Sequence, residues 1–165
     1  MKSAAVLALV LFATAANAQE TRVWAVETPK DAEAWLRYAT PDTDDQLLAF
    51  SCERKSGQVR VSALVTREFG ARKDGEVWLD RAGVRAPWPL SVTLASEGGS
   101  VTLRGAAQPE EMSGWSIVFT EFSTRAAFAD AFRKSGLVSL TAAGETLSPP
   151  PAKKSMVRKF LGACK

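Results

Sequence analysis

Residues 58–66 alternate Val59, Val61, Ala63 and Val65 with Gln58, Arg60, Ser62 and Thr66. Side chains repeat every two residues along a β-strand, so this pattern buries one face and leaves the other in water. No other segment limits the fold as much. It requires an antiparallel sheet with one covered side, because strands of parallel sheets are apolar on both faces.

The rest of the chain reads in the same way. Short runs rich in Val, Leu, Ile, Phe and Trp are separated by Gly, Asp and Ser clusters. Arg22 to Glu27 is a first strand, with Trp24 and Val26 on one face. Ala34 to Thr40 fits either a short helix capped by Asp31 or a strand. Leu47 to Glu53 is an apolar strand containing Cys52, and Ser56-Gly57 turns the chain into the strand that begins at Gln58. Asp74-Gly75 marks a turn before Glu76 to Asp80. Leu90 to Ala95 and Val101 to Gly105 flank Glu97-Gly98-Gly99-Ser100 and form the clearest hairpin, with Val92 and Leu94 facing Val101 and Leu103. Trp115 to Phe122 is a strand that puts Trp115, Ile117, Phe119 and Glu121 on one face and Val118, Thr120 and Phe122 on the other. Leu137 to Ala142 is a further strand.

Two helices are expected. Ser123-Thr124 caps a segment over about 124–134, and Gly136 stops it. Its Phe128, Ala131 and Phe132 fall on one face. The second helix covers about 152–163 after Pro149-Pro150-Pro151. Met156, Val157, Phe160, Leu161 and Cys164 lie on one side of it, and Lys154, Arg158 and Lys159 on the other. The sequence therefore predicts a mainly β chain: one antiparallel, β-sandwich-like domain over residues 19–165 with two short helices.

Residues 1–18 read as a secretory signal peptide. Lys2 precedes an apolar run from Ala4 to Ala16, and Ala16-Asn17-Ala18 is a small-residue cleavage site. The run is too short for a transmembrane helix, which needs about 20 residues, and no later segment is long and apolar enough. The leader implies export to the periplasm, with release outside the cell as the other destination. Loss of Lys2 takes the formal charge from +3 to +2. Acids and bases alternate along the domain, without the dense basic stripe of a nucleic-acid binder. In an oxidising compartment Cys52 and Cys164 are expected to pair, because a lone pair of cysteines there usually bridges.

The chain contains no histidine. That removes the Ser-His-Asp and Cys-His nucleophile systems and the usual zinc sites. Asp42 to Asp45 with Glu53 superficially matches a calcium loop but has Leu47 where the turn glycine belongs, so a solvated acidic turn is the better reading. Glu110-Glu111 supplies carboxylates without placing them across a cleft. No Ser-x-x-Lys element and no glycine-rich phosphate loop is present. Neither a catalytic residue, a metal site nor a cofactor is assigned.

Trp24, Trp35, Trp78 and Trp115 lie in or beside strands and read as core. Trp88 differs, because Pro87 and Pro89 cannot donate to a ladder and take it out of regular pairing. Such an indole either plugs one end of the sandwich, the commoner outcome, or points outward toward a partner or a sugar ring. Arg81 and Arg85 lie just upstream, and Arg and aromatic side chains are enriched at binding hot spots. Arg81, Arg85 and Trp88 are thus the candidate partner-binding residues. Lys154, Arg158 and Lys159 could add a weak contact with an anionic surface.

The early strand Trp, the strand Leu47-Leu48-Ala49-Phe50-Ser51-Cys52, the following strand Val59 to Val65 and the closing Phe160-Leu161-x-x-Cys164 together resemble small envelope proteins of Gram-negative bacteria. The pattern is similar to the VasI family, an accessory family associated with type VI secretion. The resemblance covers most of the exported chain as a pattern and implies architecture and periplasm without catalytic residues. The resulting expectation is a non-catalytic binding or assembly module of the bacterial envelope whose partner is another envelope protein. The alternative is an inhibitor or ligand-binding protein acting on an exported hydrolase or glycan.

Overall fold

The computed structural model describes residues 22–111 and 113–165, so the signal peptide expected over 1–18 lies outside them. The strand expected at the start is β1, Val23–Glu27. Ala34–Ala39 is β2, a strand and not a helix, with Ala34 and Leu36 buried by the period-two alternation. Gln46–Cys52 (β3) and Gln58–Val65 (β4) follow as the sequence predicts. Arg72–Asp74 (β5) and Val77–Leu79 (β6) form a small separate hairpin at Gly75, whose φ is 61°.

The clear hairpin is longer than expected. Trp88–Ser96 (β7) and Gly99–Pro109 (β8) join through Glu97-Gly98, with Gly98 at φ 84°. Val92 pairs with Leu103 and Leu94 with Val101. The prolines do not take Trp88 out of the ladder: Trp88 pairs with Ala107 and Pro89 with Ala106. Beyond β8, the only strand that β7 pairs with among the described residues is Ser139–Ala142 (β10), and only from Val92 to Ala95. Pro89 therefore sits where β7 is an edge, and edges tolerate proline.

Ser116–Ser123 is β9. Helix α1 covers Ala127–Ser135, starting later than expected. The Ser123 hydroxyl accepts from the Arg125 N–H, and the Ala126 N–H donates to the Ser123 carbonyl, so 123–126 is spent on a turn. Gly136 ends the helix in the left-handed conformation at φ 78°, as its position implied. Glu145–Leu147 (β11) pairs with β10 across Ala143-Gly144 and completes the strands. Helix α2 is Lys154–Cys164.

Nine strands make one antiparallel sheet in the order β1-β2-β3-β4-β9-β8-β7-β10-β11. The sheet curls, so elements far apart in that order are bridged. The Thr66 N–H after β4 donates to the Glu145 carboxylate in β11, and Arg67 donates to the Ala143 carbonyl. The Trp24 indole in β1 donates to the Pro150 carbonyl after β11 at 2.7 Å. The protein is thus mainly β and sandwich-like, as expected, with the sandwich made by curling one sheet.

Both helices pack on the inner face. Phe50 lies at the centre, with ring centroids 5.4 Å from Phe132 and 6.4 Å from both Phe160 and Trp24. Phe122, Phe128, Leu36, Leu48, Val59, Leu140 and Leu161 fill the rest of this core. Cys52 and Cys164 are joined in a disulfide between β3 and the end of α2, across a sequence separation of 112. Beside the bridge, the Gly57 N–H donates to the Cys164 carbonyl at 2.7 Å and the Lys55 N–H to the Ala163 carbonyl at 3.1 Å.

Candidate functional site

The strand registers decide what the opposite face of the sheet carries. Leu36, Phe50, Val61 and Thr120 are successive cross-strand partners and point inward, so their neighbours point out. One outward row runs Trp35, Ser51, Arg60, Glu121 across β2, β3, β4 and β9. The next runs Arg37, Ala49, Ser62, Phe119 and Ala106 into β8. A third runs Leu64, Ile117 and Gln108.

These rows have a shape. Ser51, Ala49 and Ser62 are small, whereas Trp35 and Arg37 rise on β2 and Phe119 and Ile117 rise on β9. Three strand spacings separate β2 from β9, about 14 Å. The result is a groove of about 760 Å³ lined by Trp35 on one side, Phe119 and Ile117 on the other, and Arg104, Gln108 and Glu121. The Arg37 guanidinium lies 5.5 Å from the Trp35 ring centroid and pairs with Glu27, which holds that wall upright. Arg60 pairs with Glu33 on the rim. The side chains of Arg104, Gln108 and Glu121 are exposed and make no hydrogen bond or ion pair among the described residues, so both charges and an amide stay available to a ligand.

Gly105 shapes the groove from below. It pairs with Thr120, and a Cβ placed there would come within 2.6 Å of the Phe119 carbonyl oxygen and 2.7 Å of Val92 Cγ2. The Thr120 hydroxyl donates to the Arg104 carbonyl at 2.8 Å. Close approach of β8 to β9 thus sets Arg104 and Ala106 against Phe119.

Trp115 continues the apolar wall. It and Phe119 are each 37% exposed, four residues apart along one face, about 13 Å. Around Trp115 lie Ile117, Leu64, Ser62 and the carboxylates of Asp44, Asp45 and Glu110. Asp45 accepts from the Arg22 guanidinium at 3.0 and 3.1 Å and from the Thr40 hydroxyl at 2.7 Å. The Arg22 and Thr40 hydrogen bonds hold its carboxyl below the ordinary aspartate range. Glu110 accepts from the N–H and hydroxyl of Ser113. Glu111 turns away to Lys73 at 2.7 Å, so the two adjacent glutamates serve different elements and do not face each other across a cleft.

The expectation that Trp35 and Trp115 are core is corrected. Both lie on the outer face, Trp35 half-buried and Trp115 exposed. Trp24 and Trp78 are half-buried and pack against the core, consistent with their reading. Trp88 is 5% exposed, stacks on Phe69 at 6.0 Å and donates its indole N–H to the Val84 carbonyl at 2.9 Å. Of its two readings, the plug is the one this burial fits. An outward indole is not available at residue 88. Arg81 and Arg85 are exposed on the loop between β6 and β7. That loop is ordered by Asp80, whose carboxylate accepts the Ala82 and Val84 N–H groups at 2.9 and 2.8 Å.

Sequence reasoning placed Trp115, Ile117, Phe119 and Glu121 on one face but did not identify it as the solvated one. The signal was present in β4. Arg60 and Ser62 form its polar face, and β9 lies beside it, so aromatic residues on that same face stand on the wet side of the sheet. An exposed aromatic row within a polar face marks binding more often than core.

Comparison with known proteins finds no match for this chain among protein-family models, curated proteins or solved structures.

Proposed function

We propose that the protein is a non-catalytic binding or assembly module of the bacterial cell envelope, acting in the periplasm in the manner of VasI-like domains, and that the outer sheet face is its recognition surface. One observation carries this reading. Trp35, Phe119, Ile117 and Trp115 stand on the solvated face of the sheet around a floor of small residues, while the core closes without them. Such a patch lies outside the buried core and offers a partner the aromatic anchors and polar rim of an interface. Arg104, Gln108 and Glu121 on that rim supply orientation. Among the described residues the hydroxyls of Ser51 and Ser62 have no hydrogen bond to a carboxylate or amine that could act as a base, which supports a binding role for the groove. The occupant expected is an apolar ridge of another envelope protein.

The test compares wild type, Phe119→Lys and Trp35→Ala in capture from periplasmic extract, with thermal melts alongside. The reading requires each variant to lose the same stoichiometric partner while melting within a few degrees of wild type. Retention of that partner by both variants refutes it. Inhibition of an exported muramidase by the purified protein, lost in both variants, would move the function to the inhibitor reading at the same surface.

A further inference from the structure

The last acidic residue of the sequence is Glu145, and its carboxylate is engaged by the Thr66 N–H. Residues 146–165 then carry Lys153, Lys154, Arg158, Lys159 and Lys165 and no acid. All five are exposed. The neighbouring acid on α1, Asp130, is taken by Arg133 at 2.6 Å. Among the described residues no ion pair reaches these five cations.

The arrangement on α2 is one-sided. Val157, Phe160, Leu161 and Cys164 are buried against the sheet. Within the helix, Lys154, Arg158 and Lys159 are exposed, and the only other exposed positions are Ser155 and Gly162. Every exposed side chain there larger than serine is a cation. A Cβ on Gly162 would meet nothing within 4 Å, so no neighbour demands a glycine, although a helical glycine is destabilising relative to alanine. Lys153 is the N-cap and Lys154 opens the first turn, where no acid offsets them and the helix dipole disfavours cations. The charge is therefore not explained by helix stability. A broad, low, uniformly positive face is complementary to a planar negative one.

We propose that the exposed face of α2 docks the protein on an anionic phospholipid surface through Lys153, Lys154, Arg158 and Lys159. Docking is peripheral and electrostatic. Within α2 the only apolar side chain that is not buried is Met156, and among the described residues no helix is long and apolar enough to cross a membrane. Helix α2 covers the inner face near β1 and β2, while Trp35, Ser51 and Ala49 look the other way. A docked molecule thus presents its groove away from the lipid. The inference stands on charge alone and does not depend on what the groove binds.

The test is co-sedimentation of the exported chain with vesicles of equal parts phosphatidylglycerol and phosphatidylcholine, against phosphatidylcholine alone. Each lysine or arginine near such a surface contributes roughly fivefold to partitioning. Lys154→Gln/Arg158→Gln/Lys159→Gln should therefore lower binding to the mixed vesicles about a hundredfold at low salt. The control Arg72→Gln/Arg81→Gln/Arg85→Gln removes the same charge from another surface and should change binding less than about threefold. Raising salt to about 0.5 M should abolish the difference. Equal losses in both triple variants would show an effect of net charge without a docking face. Equal binding to both vesicle types, or binding that survives salt, would overturn the proposal outright. All six positions are exposed, so melts of both variants should stay within a few degrees of wild type.

Discussion

Replacing Cys52 and Cys164 together by alanine should lower stability through the unfolded chain more than through the folded one. The bridge joins residues 112 apart, and both cysteines are buried. Cross-linking a loop of that length removes unfolded-state entropy equivalent to about 5 kcal/mol, an upper value for a native disulfide. Two backbone hydrogen bonds, Gly57 N–H to Cys164 and Lys55 N–H to Ala163, hold the end of α2 independently of the sulfurs. The fold should therefore persist without the bridge, while the released unfolded chain expands. The measurement is urea unfolding followed by tryptophan fluorescence, comparing oxidised wild type, reduced wild type and the double variant. A loss of ~2–5 kcal/mol is expected, with a larger dependence on urea because more surface is exposed on unfolding. A loss below about 0.5 kcal/mol with an unchanged slope would refute the reasoning. So would free thiols in the denatured, unreduced protein.

Phe50→Ala removes the ring on which Trp24, Phe122, Phe132 and Phe160 converge, and chemical denaturation should show a loss of about 3–5 kcal/mol. A loss under about 1 kcal/mol would mean that this cluster is not the core. Gly105→Ala pushes a methyl against the Phe119 carbonyl, which cannot give way without moving β9, so a loss of about 1–3 kcal/mol is expected in the same assay and a neutral result contradicts the close approach. Asp45 has a folded pKa held below its unfolded one by Arg22 and Thr40, so its stabilising effect is complete above the ordinary aspartate range and is lost as pH falls below it. Carboxyl titration by NMR should place Asp45 below other exposed aspartates, and Arg22→Ala should bring it back up; an unmoved titration would show that the pair does not matter.

Much of the architecture was legible because its determinants are local. The alternation in 58–66, the apolar run ending at Cys52, the Gly98 turn and the i, i+3, i+4 faces of both helices each need only neighbours in sequence. β11 was missed because its turn is Ala143-Gly144, with φ of 55° and 85°, and alanine gives no signal for a left-handed position. Trp88 was judged by its flanking prolines, and whether Pro89 falls at an edge depends on how far β10 reaches, which sequence does not disclose. The groove was illegible for a related reason. Trp35, Arg60, Phe119, Arg104 and Glu121 come from β2, β4, β9 and β8, and only the strand order 2-3-4-9-8 brings them together. A tryptophan in a strand reads as core unless the wet face is known.

Recognition of a partner on the outer sheet face can be tested directly by crosslinking. A photoreactive amino acid placed at Ser62, on the groove floor, at Arg104, on its rim, or at Glu97, at the far hairpin tip, would test it in intact cells. One common crosslinked partner is expected from positions 62 and 104 and none from 97. Crosslinks confined to position 97, or to a probe at Arg85 on the loop between β6 and β7, would contradict it.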